Sequence, residues 1–357
     1  MIYRILAINP GSTSTKIALF ENENQVFIKT IRHSAEEIGK FANISSQFTF
    51  RKELIQKELQ EAGIALETIH AIVGRGGLIK PIESGVYEVN TAMIQDMQTP
   101  VMGEHASNLG GLIAHEIAKE AGSQVKAYIA DPVVVDELNP IARISGHPAF
   151  PRVSIFHALN QKSIARTYAK AIGKKYEELN LVIAHLGGGI SVSAHHYGKV
   201  IDTNNALNGD GPFSPERAGG VPVGALVKLC FSGTKTQDEV KKMLCGAGGL
   251  VGYLNSNDVI EIEKNALSDS HYQLIWEAMC YQVAKEIGAM ACVLEGQVDA
   301  ILLTGGIANS KKVTQAITQR VQFIAPVKVY PGEDEMRALA LNGLMVMKGE
   351  LAPKVYA

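Results

Sequence analysis

Three apolar runs that each end in a glycine turn constrain the fold of this chain more than any other feature of its sequence. Residues 3–9 form a β-rich run, residues 10–14 a turn around Gly11, and residues 15–20 and 25–31 two further strands. The pattern returns later. Residues 180–186 read as a buried strand, Gly187-Gly188-Gly189 as a turn, and residues 190–195 and 199–202 as strands. A third run, 299–304, leads into Gly305-Gly306 and then a helix over 308–322, with a last strand at 327–330 and a helix over 333–348. Between these lie helical patterns at 46–62, 107–121 and within 221–294, and strands at 70–73 and 125–130. A strand–turn–strand unit in each half, followed by more strands and then helices, predicts two related α/β domains. Glycine hairpins also recur in α/β proteins without such a relation, and the architecture alone leaves both readings open. A chain of 357 residues is long enough for two or three domains.

The turns carry chemistry as well as shape. In Asn9-Pro10-Gly11-Ser12-Thr13-Ser14-Thr15-Lys16 the glycine lets backbone N–H groups approach an anion, Ser12 and Ser14 add hydroxyl donors, and Lys16 adds a charge. An ordinary hairpin turn with a solvated lysine is the plainer alternative. His185-Leu186-Gly187-Gly188-Gly189-Ile190-Ser191 spends three adjacent glycines, a large entropic cost that a nest for phosphate oxygens would justify. Gly305 and Gly306, after a buried strand and before a helix, put a helix N-terminus where it can meet a ligand. Other nucleotide motifs fail. There is no GxxxxGK[ST], and the tract from Gly246 to Gly252 misses GxGxxG and follows no strand.

Composition narrows the class. With 46% hydrophobic and 20% charged residues the chain is globular. A net charge of −2 gives no overall field toward nucleic acid or an anionic membrane, so local groups must hold any anion. The apolar stretch 278–294 is broken by Lys285 and Glu286, no signal peptide opens the chain, and a cytoplasmic location is expected. Cys230, Cys245, Cys280 and Cys292 lack CxxC pairing and read as buried reduced thiols. The histidines lack HExxH spacing, which disfavours a zinc site.

The three turns, taken in order, resemble the two phosphate motifs and the adenosine motif of the superfamily of acetate and sugar kinases, heat-shock ATPases and actin. Most members open the first motif with an aspartate; Asn9 stands there instead, as in the acetate and butyrate kinase branch. The segments Asp131-Pro132-Val133-Val134-Val135-Asp136-Glu137, Ser154-Ile155-Phe156-His157-Ala158-Leu159-Asn160-Gln161 and Gly209-Asp210-Gly211-Pro212-Phe213-Ser214-Pro215-Glu216-Arg217 resemble that branch closely, over essentially the whole chain. The resemblance implies two related actin-like (ribonuclease H-like) α/β domains with a nucleotide cleft between them. Residues 1–152, completed by 334–357, are expected to form the first and residues 153–333 the second. It further implies an ATP- and Mg²⁺-dependent kinase acting on the carboxylate of a short-chain fatty acid: butyrate first, with isobutyrate, propionate and acetate as alternatives. At least a homodimer is expected, with neither nucleic acid nor membrane as partner.

Roles follow residue by residue from the same resemblance. Asn9, Ser12, Ser14 and Lys16 match the first phosphate turn, His185 with Gly187, Gly188 and Gly189 the second, and Gly305 and Gly306 the adenosine turn. Asp131 matches the catalytic aspartate, and His157 a histidine that contacts the transferring phosphoryl group. Arg217 matches an active-site arginine. In Glu333-Asp334-Glu335 a carboxylate near the metal is implied, with Asp334 and Glu335 assigned beside Asp131. In place of the Arg-Val-Val-His of acetate kinases the chain has Ile72-Val73-Gly74-Arg75, so Arg75 is expected to take over the anion contact. Gly74, standing where a valine crowds acetate, is expected to open room for a longer acyl chain, lined also by Phe156. Because a carboxylate is already ionised at pH 7 it needs no general base, and Asp131 is assigned to Mg²⁺ placement.

Overall fold

The computed structural model describes residues 1–99, 102–207 and 210–357. The chain partitions into two compact units, Met1–Val135 with Asp334–Ala357, and Asp136–Glu333. Residues that follow Asp136 bond within the second unit. Asn139 N–H donates to Ile201 O, Arg152 donates to Thr203 O, and Glu137 accepts from buried Lys162 at 2.7 Å.

The first unit holds strands β1 (Arg4–Pro10), β2 (Ser14–Glu21), β3 (Asn24–Arg32), β4 (Ala71–Arg75), β5 (Val86–Glu88) and β6 (Lys126–Ala130) in the order β3-β2-β1-β4-β6-β5. β1 pairs antiparallel with β2, β2 antiparallel with β3, and β4 and β6 continue parallel to β1. The central strands are almost wholly buried, as their continuous Ile, Leu, Ala and Val content demands. Helix Glu335–Met347 returns from the end of the chain to cover them. A Cβ on Gly343 would come 2.6 Å from Val73 and 3.0 Å from Ile5, so the glycine sets how closely that helix lies.

The second unit repeats the plan with β7 (Asn180–Leu186), β8 (Ile190–His196), β9 (Lys199–Thr203), β10 (Ala300–Gly305) and β11 (Val327–Pro331), ordered β11-β10-β7-β8-β9. β7–β8 and β8–β9 are antiparallel, and β7–β10 and β10–β11 are parallel. Set beside each other, β3-β2-β1-β4-β6 and β9-β8-β7-β10-β11 have one strand order and one set of directions. Helix Ser270–Val293 covers one face of this sheet through Met279, Val283 and Ile287, and helix Ala158–Ala171 covers the other through Ala165 and Tyr168.

The thiols depart from expectation. Only Cys280 is buried, and burial pushes it up to about 12; Cys230 and Cys292 are exposed and Cys245 half-buried. All four are free. Among the described residues no helix is long and apolar enough to cross a membrane.

Candidate active site

The first turn joins β1 to β2, with Asn9 paired to Lys16 and Pro10 to Thr15. Gly11 N–H donates to Ser14 O at 2.7 Å, closing the loop that presents Ser12 and Ser14. A residue that sequence reasoning passed over holds this turn from behind. Arg51, on helix Phe48–Glu61 and 1% exposed, donates to Gly11 O (2.7 Å), Ser12 O (3.1 Å), Ser14 O (3.2 Å) and Thr15 Oγ1 (3.1 Å). Its remaining donors go to Gln47 Oε1 at 2.8 and 3.0 Å. No carboxylate balances this guanidinium among the described residues, and burial holds it below its ordinary value.

Three expected residues meet near the base of that hairpin. Arg75 Nη1, at the end of β4, lies 2.9 Å from Glu335 Oε1 and 3.3 Å from Asn9 Oδ1, and Asn9 Nδ2 also donates to Glu335. Glu335 comes from the first turn of the terminal helix. Asp334, expected with it at the metal, spends Oδ1 capping that helix through Arg337 N–H at 3.0 Å. Glu333 belongs to the second unit.

Asp131 directly follows β6 with φ +37°, in the left-handed region, and is 1% exposed. Its Oδ1 accepts from the Ser84 hydroxyl at 2.6 Å and from Gly85 N–H at 2.9 Å. Asp and Asn tolerate this backbone better than other non-glycine residues. A strained residue at a strand end is the kind of departure that functional positions retain.

Gly74 corrects an expectation. A Cβ there would fall on the carbonyl group of Gly110 and 2.8 Å from Gly111 N, in helix Asn108–Ala121. Gly110 answers it, since a Cβ there would come 2.9 Å from Arg75 N. The missing side chain lets helix and strand backbones touch, and helix fills the space that was expected to admit an acyl tail.

In the second unit His157 and His185 stack, with ring centroids 3.8 Å apart and planes at 10°. His157 precedes helix Ala158–Ala171, and its Nδ1 lies 2.9 Å from Ser191 Oγ. His185, 1% exposed on β7, reaches Asn160 Oδ1 through Nδ1 (2.9 Å) and Glu333 Oε1 through Nε2 (3.0 Å). Since a carboxylate only accepts, Nε2 carries a hydrogen. Phe156, next to His157 in sequence, is 2% exposed.

The second glycine turn is clamped by the segment 214–217. Ser214 Oγ donates to Gly188 O at 2.6 Å, and Arg217 Nη1 donates to Ala206 O. A Cβ on Gly189 would fall on the Arg217 guanidinium. Gly189 is therefore glycine because an arginine occupies its side-chain direction. Gly209, at the head of that motif, lies outside the described residues.

The third turn needs its first glycine for backbone reasons. Gly305 has φ +93°, and a Cβ there would come 2.7 Å from Leu186 N. Gly306 has nothing within 4 Å of its side-chain direction and opens on a cavity of about 550 Å³, lined also by Asn257, Glu263, Ile307, Ser310 and Lys311.

Two mixed sheets of one topology, each with a glycine turn at a strand end, make two actin-like α/β domains. A family model described as the acetokinase family matches residues 152–337, and the chain belongs to that family. It is a phosphotransferase with a carboxyl group as acceptor, and ATP is its phosphoryl donor. The chain is similar to Butyrate kinase 1 of Clostridium acetobutylicum, at 58% identity over 99% of this chain and 100% of that protein. To Butyrate kinase 2 of the same organism it is 54% identical over the full length of both. Among solved structures, acetate kinase of Porphyromonas gingivalis matches with TM-score 0.81 at 18% identity, covering 97% of this chain and 100% of that one. A propionate kinase of Francisella tularensis matches with TM-score 0.73 at 20% identity, covering 95% and 98%. These two likenesses bear on the fold, which they share with this chain.

Proposed function

We propose that the chain transfers the terminal phosphoryl group of ATP to the carboxylate of butyrate, giving butyryl phosphate and ADP. The observation that carries this reading is the 58% identity with a butyrate kinase along the whole chain. The acceptor is already an anion at neutral pH, so attack needs no base. What the reaction requires is in-line positioning and relief of repulsion between two anions. In the first unit, the turn donors at Ser12 and Ser14, with Lys16 and Asn9, would hold phosphate oxygens. Arg75, leaving its partner Glu335, would hold the acceptor carboxylate. In the second unit, His157, His185 and Arg217 would meet phosphoryl oxygens beside Gly187, Gly188 and Gly189, and the cavity at Gly306, which follows Gly305 in the turn, is of a size for adenosine. Phe156 is retained as a lining residue for the acyl chain.

The donor set suits Mg²⁺, which takes one or two carboxylates together with phosphate oxygens and water. Asp131 and Glu335 would hold it, and the ion would neutralise charge on the phosphates. The enzyme is assigned to the cytoplasm as a homo-oligomer of at least two copies, which light scattering in solution would count.

The test is an ATP assay in which hydroxylamine traps the acyl phosphate, run over straight and branched acids. Butyrate should give the highest kcat/KM. Acids one methylene away should follow within roughly 10- to 200-fold, the range a small apolar pocket discriminates. A maximum at acetate would overturn the butyrate reading, and no hydroxamate from any acid would overturn the carboxylate reading.

A further inference from the structure

Behind His157 runs a line of buried polar side chains that ordinary packing does not require. Gln161 on helix Ala158–Ala171 and Ser191 and His195 on β8 are fully buried, and Tyr176 nearly so. Gln161 Nε2 lies 3.2 Å from Ser191 O and 2.8 Å from Ser191 Oγ, and Gln161 Oε1 lies 2.9 Å from His195 Nε2. Tyr176 Oη lies 2.6 Å from His195 Nδ1. At the other end Ser191 Oγ lies 2.9 Å from His157 Nδ1.

Every hydrogen in this line can be placed. A backbone carbonyl only accepts, so the face of Gln161 toward Ser191 O is its NH₂. Its Oε1 therefore faces His195 and must receive the hydrogen on Nε2. Complete burial keeps His195 far below the ordinary histidine range, so the ring is neutral and Nδ1 accepts from the Tyr176 hydroxyl. Ser191 Oγ already receives N–H from Gln161, and the His157 backbone N–H lies 3.4 Å away. Its own hydrogen is left for His157 Nδ1. The donors run one way, from Tyr176 through His195, Gln161 and Ser191 to His157, and such a chain reinforces each of its bonds.

We propose that this buried chain holds His157 as a neutral imidazole with its hydrogen on Nε2, and that Ser191 and Gln161 are positioning residues acting through it. The tautomer gives His157 a donor at Nε2 for a phosphoryl oxygen without requiring a charged ring. This use of the donor rests on the reading of His157 above; the tautomer does not.

The test uses the full chain labelled with ¹⁵N-histidine and long-range ¹H–¹⁵N correlation, which distinguishes the two tautomers and the imidazolium. The His157 signals are assigned by their loss in His157→Gln. The wild type should show Nε2–H. In Gln161→Glu a carboxylate accepts where the amide donated, so the Ser191 hydrogen turns toward it and the His157 hydrogen moves to Nδ1. Turnover should then fall on the order of a hundredfold, the scale of losing one donor to developing negative charge, with KM for ATP little changed. Ser191→Ala, with no hydroxyl to direct the ring, should show both tautomers. Nδ1–H or an imidazolium in the wild type at neutral pH would overturn the proposal. If Gln161→Glu does not fold, Ser191→Ala decides: a single unchanged Nε2–H signal would remove Ser191 from the role. A wild-type Nε2–H signal together with full turnover in His157→Gln would leave the tautomer standing and sink the phosphoryl contact.

Discussion

Gly74 and Gly110 face each other at a point where strand and helix backbones touch, and neither tolerates a methyl group. Gly74→Ala should lower stability by about 1–3 kcal/mol, the usual cost of overpacking, and should lower kcat/KM for acetate, propionate and butyrate alike. Thermal unfolding with the three-acid series checks this. A loss that grows with acyl length would restore the pocket reading. Asp131 allows a cleaner substitution, because Asn accepts the same left-handed backbone. Asp131→Asn should keep its melting temperature and lose at least about 10²-fold in kcat, the scale of removing one electrostatic stabiliser. Retention of a tenth of the rate would take Asp131 out of the chemistry. At this scale the glycine turns, Asp131 and the two stacked histidines were legible because motif letters name them. Arg51 was not. An arginine in an amphipathic helix reads as solvent-facing, and nothing local says that its guanidinium turns inward to three carbonyls of another element. The cause of Gly189 was equally hidden, since Arg217 is remote from it in sequence.

The hairpin of β1 and β2 depends on helix Phe48–Glu61 through Arg51 alone among that helix's charged residues. Lysine keeps the charge but not the planar fork that spans Gly11, Ser12 and Ser14. Arg51→Lys should therefore loosen the turn. KM for ATP should rise about tenfold, equivalent to about 1.4 kcal/mol, within the worth of one charge-assisted hydrogen bond, with a smaller change in KM for the acid. Steady-state kinetics with each substrate varied separates the two. A change confined to the acid would detach Arg51 from the phosphate turn. Strands were the most legible elements, β7 being placed to the residue, because a strand buried on both faces is an unbroken apolar run. Helix Ala158–Ala171 went unread because its buried side carries Asn160, Gln161 and Lys162, which erase the apolar period. One of the polar residues that hid the helix, Gln161, is the one proposed to position His157 through Ser191.

For the molecule as a whole, histidines lowered by burial contribute to the response to acid, among them His33 in the first unit and His195 in the second. Burial lowers both His33 and His195 from the usual histidine value of 6.5, with Arg51 adding to the effect on His33. The unfolded chain takes up a proton at each as pH falls through that value, and the folded chain does not. Stability is therefore fully present above it and declines below it, by up to about 1.4 kcal/mol per pH unit for each histidine. Urea unfolding at pH 7.5 and 5.5 should show the loss, and His195→Gln should reduce the slope. An unchanged slope would mean that His195 takes up its proton in the folded state. The doubled architecture was visible in the order of strands and turns but not in the letters. Two sheets of one strand order and one set of directions give the chain one hairpin shape twice, at the β1–β2 and β7–β8 turns. The first carries serines and a lysine behind Asn9, and the second a histidine, three glycines and an arginine that lies against them. One loop geometry is thus a socket that takes two different sets of tools.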